Sequence, residues 1–228
     1  MTNKWLKVAL MVTAIATGTS IKIDAETVLY VPQDDRPVSL QYTVDTAREA
    51  GMTVLTPPQH LISGKTYQGQ ADQIMAWVEQ NAGRADVMVL STDTLIYGGL
   101  VDSRKHNIPL STLQNRLKRI EGLKARNKNV RIYGFGTVMR SPRASGGGTE
   151  PAYYAEYGPT IFQIAALQDK LDSGSLTQEE TQKLMSLQAS VPVEYLQDWF
   201  DRRQKNMKIN KELIDETRSG VFDYFALG

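Results

Sequence analysis

The sequence predicts an α/β fold: a parallel sheet built from βα repeats, either an open doubly wound sheet or part of a TIM-like barrel, followed by a helical segment. Three observations predict it. Short apolar, β-branched runs alternate with stretches whose apolar residues recur every three to four positions. The runs are apolar throughout, the pattern of strands buried on both faces beneath crossover helices. The chain has 228 residues, 41% of them apolar, enough for one large α/β domain or two small ones.

The elements follow in order. "MTNKWLK" carries Lys4 and Lys7, "VALMVTAIATGTS" is a short apolar stretch, and "KIDA" offers Ala25 as a cleavage position. That is the order of a secretory signal peptide, expected over residues 1–25. Its apolar core is shorter than the ~20 residues of a spanning helix. The mature chain is therefore expected to be exported, periplasmic or extracellular, with no stable membrane span after signal removal. Without cysteine, a bacterial envelope suits it better than a disulfide-rich exterior.

Over 26–228 a single α/β domain is expected, with regular βα units over 26–139. "TVLYVP" is the first strand, and Leu40, Val44 and Ala47 give a helix that stops at Gly51. "MTVLTPP" is the second strand, closed by Pro57 and Pro58. Residues 69–82 form a helix with Ala71, Ile74, Met75 and Val78 on one face. "ADVMVLS" is the third strand, Ser111 is expected to cap the next helix, and "VRIYGFGTV" is the fourth strand. Over 140–219 come a glycine-rich loop, "RSPRASGGGTEP", and three helices. The first helix covers 152–171, and the second opens at a Thr177–Glu180 capping box. The third follows Pro192 with Leu196, Trp199, Phe200, Met207 and Ile214 on a stripe. "VFDYFALG", within 220–228, is the last strand. A strand ending on the last residue lacks a following cover. That predicts a natural protein truncated here after strand five, with an edge pairing as the alternative.

Composition excludes several function classes. A net charge of +1 carries no polyanion signature, so nucleic acid is not an expected partner. The absence of cysteine removes disulfides, thiolate metal sites and cysteine nucleophiles, and His60 and His106 are too few for a three-histidine metal site. There is no Gly-x-Ser-x-Gly and no Gly-x-Gly-x-x-Gly. "SGGGTE" lacks the lysine and spacing of a phosphate-binding loop and reads as a lid or linker. No cofactor and no metal are expected.

The charged strand ends are the candidate site, because parallel α/β folds present ligand-contacting side chains at the carboxyl ends of their strands. Strand one delivers Asp34, Asp35 and Arg36. Strand three delivers Ser91, Asp93 and Tyr97. Strand four delivers Arg140, Arg143 and Glu150, and strand two, more weakly, His60. Carboxylates facing one crevice divide acid and base roles as repulsion and burial split their pKa values. Arginines grip anionic or hydroxyl-rich ligands through planar donors. Each feature also has a plain structural reading. Asp35 would cap a turn with Arg36 paired to it and Pro37 opening a helix. Asp93 would cap the segment after strand three, with Gly98 and Gly99 in a tight turn. Arg203, Asn206 and Asn210 share a helix face, directed at the rim or at solvent. His60 and His106 read as loop residues.

Three stretches, "VPQDDRPVSL", "LSTDTLIYGGLVDSR" and "RRQKNMKINKELID…GVFDYFALG", resemble the bacterial family known as domain of unknown function 4127 (DUF4127), in its N-terminal part. The resemblance implies that Asp34, Asp35, Arg36, Asp93, Tyr97, Gly98, Gly99, Ser103 and Arg104 are motif positions. It assigns them no role, and it implies that members continue past the fifth strand into another acidic motif. The expected function is an exported hydrolase acting on a glycan or similar polyhydroxylated substrate. Asp34, Asp35 and Asp93 would carry the chemistry, and Arg36, Tyr97, Arg140, Arg143 and Glu150 would bind substrate. The alternatives are a non-catalytic envelope protein binding a sugar or anion, and a metal-dependent hydrolase using the aspartates as ligands.

Overall fold

A computed structural model describes residues 25–144 and 147–228. The expected signal peptide lies outside the described residues but for Ala25, as do Ser145 and Gly146 of the glycine-rich loop. Five strands form one parallel sheet: β1 (Thr27–Val31), β2 (Thr53–Leu55), β3 (Val87–Ser91), β4 (Arg131–Gly136) and β5 (Tyr224–Leu227). Their order is β2-β1-β3-β4-β5, so the sheet is open, with β2 and β5 at its edges. Every adjacent pair is parallel, from Thr27 against Thr53 at one side to Gly136 against Leu227 at the other. Within the described residues β5 pairs with β4 alone.

Between the strands lie α1 (Gln41–Glu49), α2 (Ala71–Asn81), α3 (Thr92–Tyr97), α4 (Asp102–Lys105), α5 (Leu110–Arg126), α6 (Tyr154–Asp172), α7 (Gln178–Ala189) and α8 (Val193–Arg218). One face of the sheet offers Leu29, Val31, Met88, Leu90 and Ile132. The apolar stripes of α2 (Ile74, Met75, Val78), α5 (Leu113, Leu117, Ile120, Leu123) and α8 (Ile209, Leu213) close over them. Burial of such stripes, at about 25 cal/mol per Å² of apolar surface, is the main stabilising contribution. The expectation of burial on both faces is met only in part: Val28 of β1 and Val89 of β3 are half-buried on the second face, and Arg131 of β4 and Tyr224 of β5 are exposed. The physical reason is coverage. Thr43 and Ala47 of α1 share a shallow cleft of about 290 Å³ with Val28, Tyr30, Val54, Val87, Val89 and Tyr133 on that second face.

The last three helices make a second core, in which Tyr154, Ile161, Ile164, Leu184 and Trp199 are buried. The expected capping box is present: Thr177 Oγ1 accepts from the Glu180 amide at 3.2 Å, and Glu180 Oε2 accepts from the Thr177 amide at 3.1 Å. Ser111 does not cap α5. Pro109 occupies that position and makes no side-chain cap, its fixed φ already suiting a helix start. No helix among the described residues is long and apolar enough to cross a membrane.

Candidate functional site at the carboxyl ends of the strands

Strand β1 connects to β2 on one side, and β3 resumes on the other side of β1. Loops leaving neighbouring strands diverge at such a reversal and open a crevice, the usual ligand position in doubly wound sheets. The β1, β3 and β4 ends are therefore neighbours, and one carboxylate ties them together. Asp93 Oδ2 accepts from Gln33 Nε2, which follows β1, and from Thr137 Oγ1, which follows β4, each at 2.9 Å. Thr94 Oγ1 adds a donor to the Pro32 carbonyl at 2.6 Å. Asp93 is not spent on capping, because Ser91 Oγ accepts from the Thr94 amide at the head of α3. It is 2% exposed. Burial pushes its carboxyl up to about 6, against the opposing hydrogen bonds of Gln33 and Thr137 and the field of Arg104.

The two adjacent aspartates have different surroundings. Asp34, not Asp35, takes the arginine: Arg36 Nη2 lies 2.7 Å from Asp34 Oδ2, and Arg36 Nε donates to the same oxygen at 2.8 Å. Asp34 Oδ1 also accepts from the Arg36 amide at 3.2 Å, an Asx turn that a side chain two residues upstream can make and Asp35 cannot. Asp35 is half-buried, with its amide on the Ser63 carbonyl at 2.9 Å and its carboxylate accepting from the Tyr67 hydroxyl. Helix α1 begins at Gln41 rather than at Pro37.

On the β4 side Arg140 pairs with the buried carboxylate of Glu150 at 2.6 Å. Lys105 Nζ reaches the Gly148 carbonyl at 3.1 Å and ties α4 to the glycine-rich loop. Arg104, beside it, is within the fields of Asp93, Glu150, Arg140 and Arg36. The structure thus brings Arg36, Asp93, Arg140 and Glu150 within the field of Arg104, with Asp34 paired to Arg36 and Asp35 next to it in the chain. It does not bring Arg143 to the rim, since that guanidinium sits 5.3 Å over the Phe162 ring of α6. Tyr97 is buried below, its ring 4.9 Å from that of His106 and its hydroxyl without a partner among the described residues. Burial and then the Asp93 charge push that phenol well above its ordinary range.

The glycines have a packing role. Gly98 holds a φ of 110°, and the turn it makes lies against the 63–69 loop. A Cβ on Gly69 would stand 2.0 Å from the Gly98 carbonyl oxygen, and one on Gly99 would stand 1.8 Å from Ser63 Oγ. Gly69→Ala is expected to cost about 1–3 kcal/mol, read as a lowered thermal midpoint, because backbone meets backbone and no side chain can yield.

Helix α8 braces the same rim. Asn210 Nδ2 donates to the Thr137 carbonyl at 3.3 Å, and Asn206 Nδ2 to the Ser103 carbonyl at 2.8 Å. Arg203 Nη1 donates to the Met139 carbonyl. His106 is a buried bracing residue. Its Nδ1 accepts from the Ile108 amide at 3.3 Å and its Nε2 meets Asn206 Oδ1 at 2.8 Å. Burial lowers its pKa to about 4, over the raising effect of Asn206. A cleft of about 760 Å³ is lined by Met139, Phe200, Arg203, Met207 and Leu227 among others, with Ala165 of α6 and Gln188 of α7 also on its walls. Among the described residues, no three His, Cys, Asp or Glu side chains are grouped to hold a metal ion.

Sequence reasoning missed Gln33 and Thr137. Both are neutral polar residues beside the charged motifs, and only the adjacency of β1, β3 and β4 makes them partners of Asp93. An open parallel sheet with carboxylates and guanidiniums near its reversal point defines a doubly wound α/β protein. Residues 28–228 match the family described as protein of unknown function (DUF4127), and the chain belongs to that family. No curated protein and no solved structure matches it.

Proposed function

We propose that this crevice is the site of a hydrolase acting on a glycan or similar polyhydroxylated substrate, in a protein exported by its N-terminal segment. The observation that carries the reading is Asp93: a carboxyl at the junction of three strand ends, raised to about 6 by burial. A group poised there can hold a proton for a leaving alkoxide at near-neutral pH, as a general acid must. Asp35, half-buried, is the second carboxylate, able to activate water or attack directly. Asp34 is a positioning residue that fixes the Arg36 fork, and Glu150 does the same for Arg140. Those two arginines orient the substrate.

A second reading, ligand binding without turnover, is favoured by one observation. Asp34 and Glu150 are held in ion pairs and Asp93 is almost wholly enclosed, which leaves Asp35 as the accessible acid of the four. The test is release of reducing ends from neutral and acidic oligosaccharides by the full chain, with Asp93→Asn and Asp35→Asn alongside. Turnover lost in both variants with ligand still bound supports the hydrolase. Binding with no turnover of any substrate supports the second reading. Turnover abolished by chelator and restored by a divalent ion would move the chemistry to a metal-dependent route.

A further inference from the structure

Arg104 is the cation that the hydrolase mechanism leaves unused. It stands on α4, two residues after Asp102, whose Oδ2 receives the Gly69 amide at 3.1 Å and so fixes the base of the helix. Its neighbour Lys105 is tethered to the glycine-rich loop at Gly148, and the preceding Ser103 carbonyl is bound by Asn206 of α8. The backbone carrying Arg104 is therefore held from three sides. The other two arginines of the rim are already matched, Arg36 by Asp34 at 2.7 Å and Arg140 by Glu150 at 2.6 Å. Arg104 is partly buried, and among the described residues its guanidinium has no hydrogen-bond or ion-pair partner. Loss of water and the charge of Arg140 disfavour its charged form, while Glu150 and Asp93 support it from a distance.

A guanidinium presents five donors in a rigid fork and is normally matched by an acceptor when it leaves water. Here the nearest carboxylates are committed, Glu150 to Arg140 and Asp93 to Gln33 and Thr137. A planar or tetrahedral oxyanion would match the Arg104 fork of donors. We propose that Arg104 is the anchor for a negatively charged group of the substrate, a carboxylate or a phosphate ester, with Arg36 and Arg140 flanking it. This deepens the reading of the crevice as a glycan site and rests on it for the polyhydroxylated part of the ligand. The substrate class is then an acidic sugar, a uronate or a sugar phosphate, rather than a neutral one. Arg104 determines that preference by binding, and Asp93 remains the group that moves the proton.

The experiment is calorimetric titration of the full chain at low ionic strength with D-glucuronate, inorganic phosphate and D-glucose, for the wild type, Arg104→Gln and Arg104→Lys. Glucuronate or phosphate is expected to bind and glucose to give no heat. The stronger of the two anions identifies the carboxylate or the phosphate source. Arg104→Gln is expected to weaken the anion by about 10-fold or more, the loss of a bidentate charge-assisted contact. Arg104→Lys, which keeps the charge and loses the fork, is expected to fall between, and it carries the test if the glutamine variant melts early. Glucose binding as well as glucuronate, or Arg104→Gln binding the anions as the wild type does, overturns the proposal. The two readings fail separately. Anion binding that depends on Arg104 without turnover of any glycan sinks the hydrolase and leaves the anchor. Asp93-dependent turnover of a neutral glycan, unchanged in Arg104→Gln, sinks the anchor and leaves the hydrolase.

Discussion

Asp93→Asn is expected to lower kcat/KM by about 10²–10⁴-fold, the range for loss of a general acid or base, while making the fold more stable above pH 6. The two effects have one cause. The native carboxyl is raised by burial from 3.8 to about 6. Between those values the unfolded chain releases a proton that the native state keeps, so this residue's contribution is fully present below pH 3.8 and is lost as pH rises through 6. A rise of that size corresponds to about 3 kcal/mol. Asparagine is uncharged at every pH, and its side-chain oxygen can still accept from Gln33 and Thr137. The gain should therefore appear at pH 8 and vanish near pH 3.5, read from denaturant unfolding at both values. His106 has the opposite sign: its pKa is lowered from 6.5 to about 4, so its stabilisation is present above pH 6.5 and is lost toward pH 4. The variant should thus reveal a steeper acid loss than the wild type, whose two slopes offset each other. Under the proposed mechanism, activity of the wild type is expected to fall as pH rises through about 6, because Asp93 must carry its proton to serve as the acid.

Trp199→Ala is expected to destabilise the protein by about 3–5 kcal/mol, measured as a lowered midpoint in urea. Trp199 is fully buried at the centre of the second core and packs 4.4 Å from the Tyr154 ring. Alanine leaves a void that the neighbouring Ile161, Ile164 and Leu184 cannot close without shifting α6 and α7. The consequence reaches the crevice. Trp199 lies on the helix that sends Asn206 to the Ser103 carbonyl and Asn210 to the Thr137 carbonyl. Trp199→Phe, which retains most of the packed volume, should lose much less, and the contrast separates cavity formation from any effect of the indole N–H.

Much of this architecture was legible in the residues, and the limits have physical causes. The apolar runs at 27–31, 87–91 and 131–136 and the stripes of α2 and α5 report burial directly, because periodicity is set by the side-chain directions of helix and strand. Strand-end placement followed from parallel connections alone, which is why Asp34, Asp93 and Arg140 could be named together. Strand order is not contained in periodicity. Without it, the reversal between β1 and β3 was invisible, the choice between open sheet and barrel stayed open, and the pairing of Gln33 and Thr137 with Asp93 had no signal. Choices among adjacent like residues were also illegible. That Arg36 selects Asp34 over Asp35 depends on turn geometry at a resolution of one residue. Arg143 illustrates the remaining limit: it lies three residues beyond Arg140, yet an aromatic ring on α6 takes it out of the group.

A single carboxyl at the meeting point of three strands, sharing its field with an otherwise unmatched arginine, is the feature on which the proposed function rests. Its most direct test is the ¹³C chemical shift of the Asp93 carboxyl followed against pH, in the wild type and in Arg104→Gln. The expected result is a titration midpoint near 6 that moves higher when the arginine is removed, since Arg104 favours the ionised form. An ordinary midpoint close to 3.8, indifferent to Arg104, would contradict it.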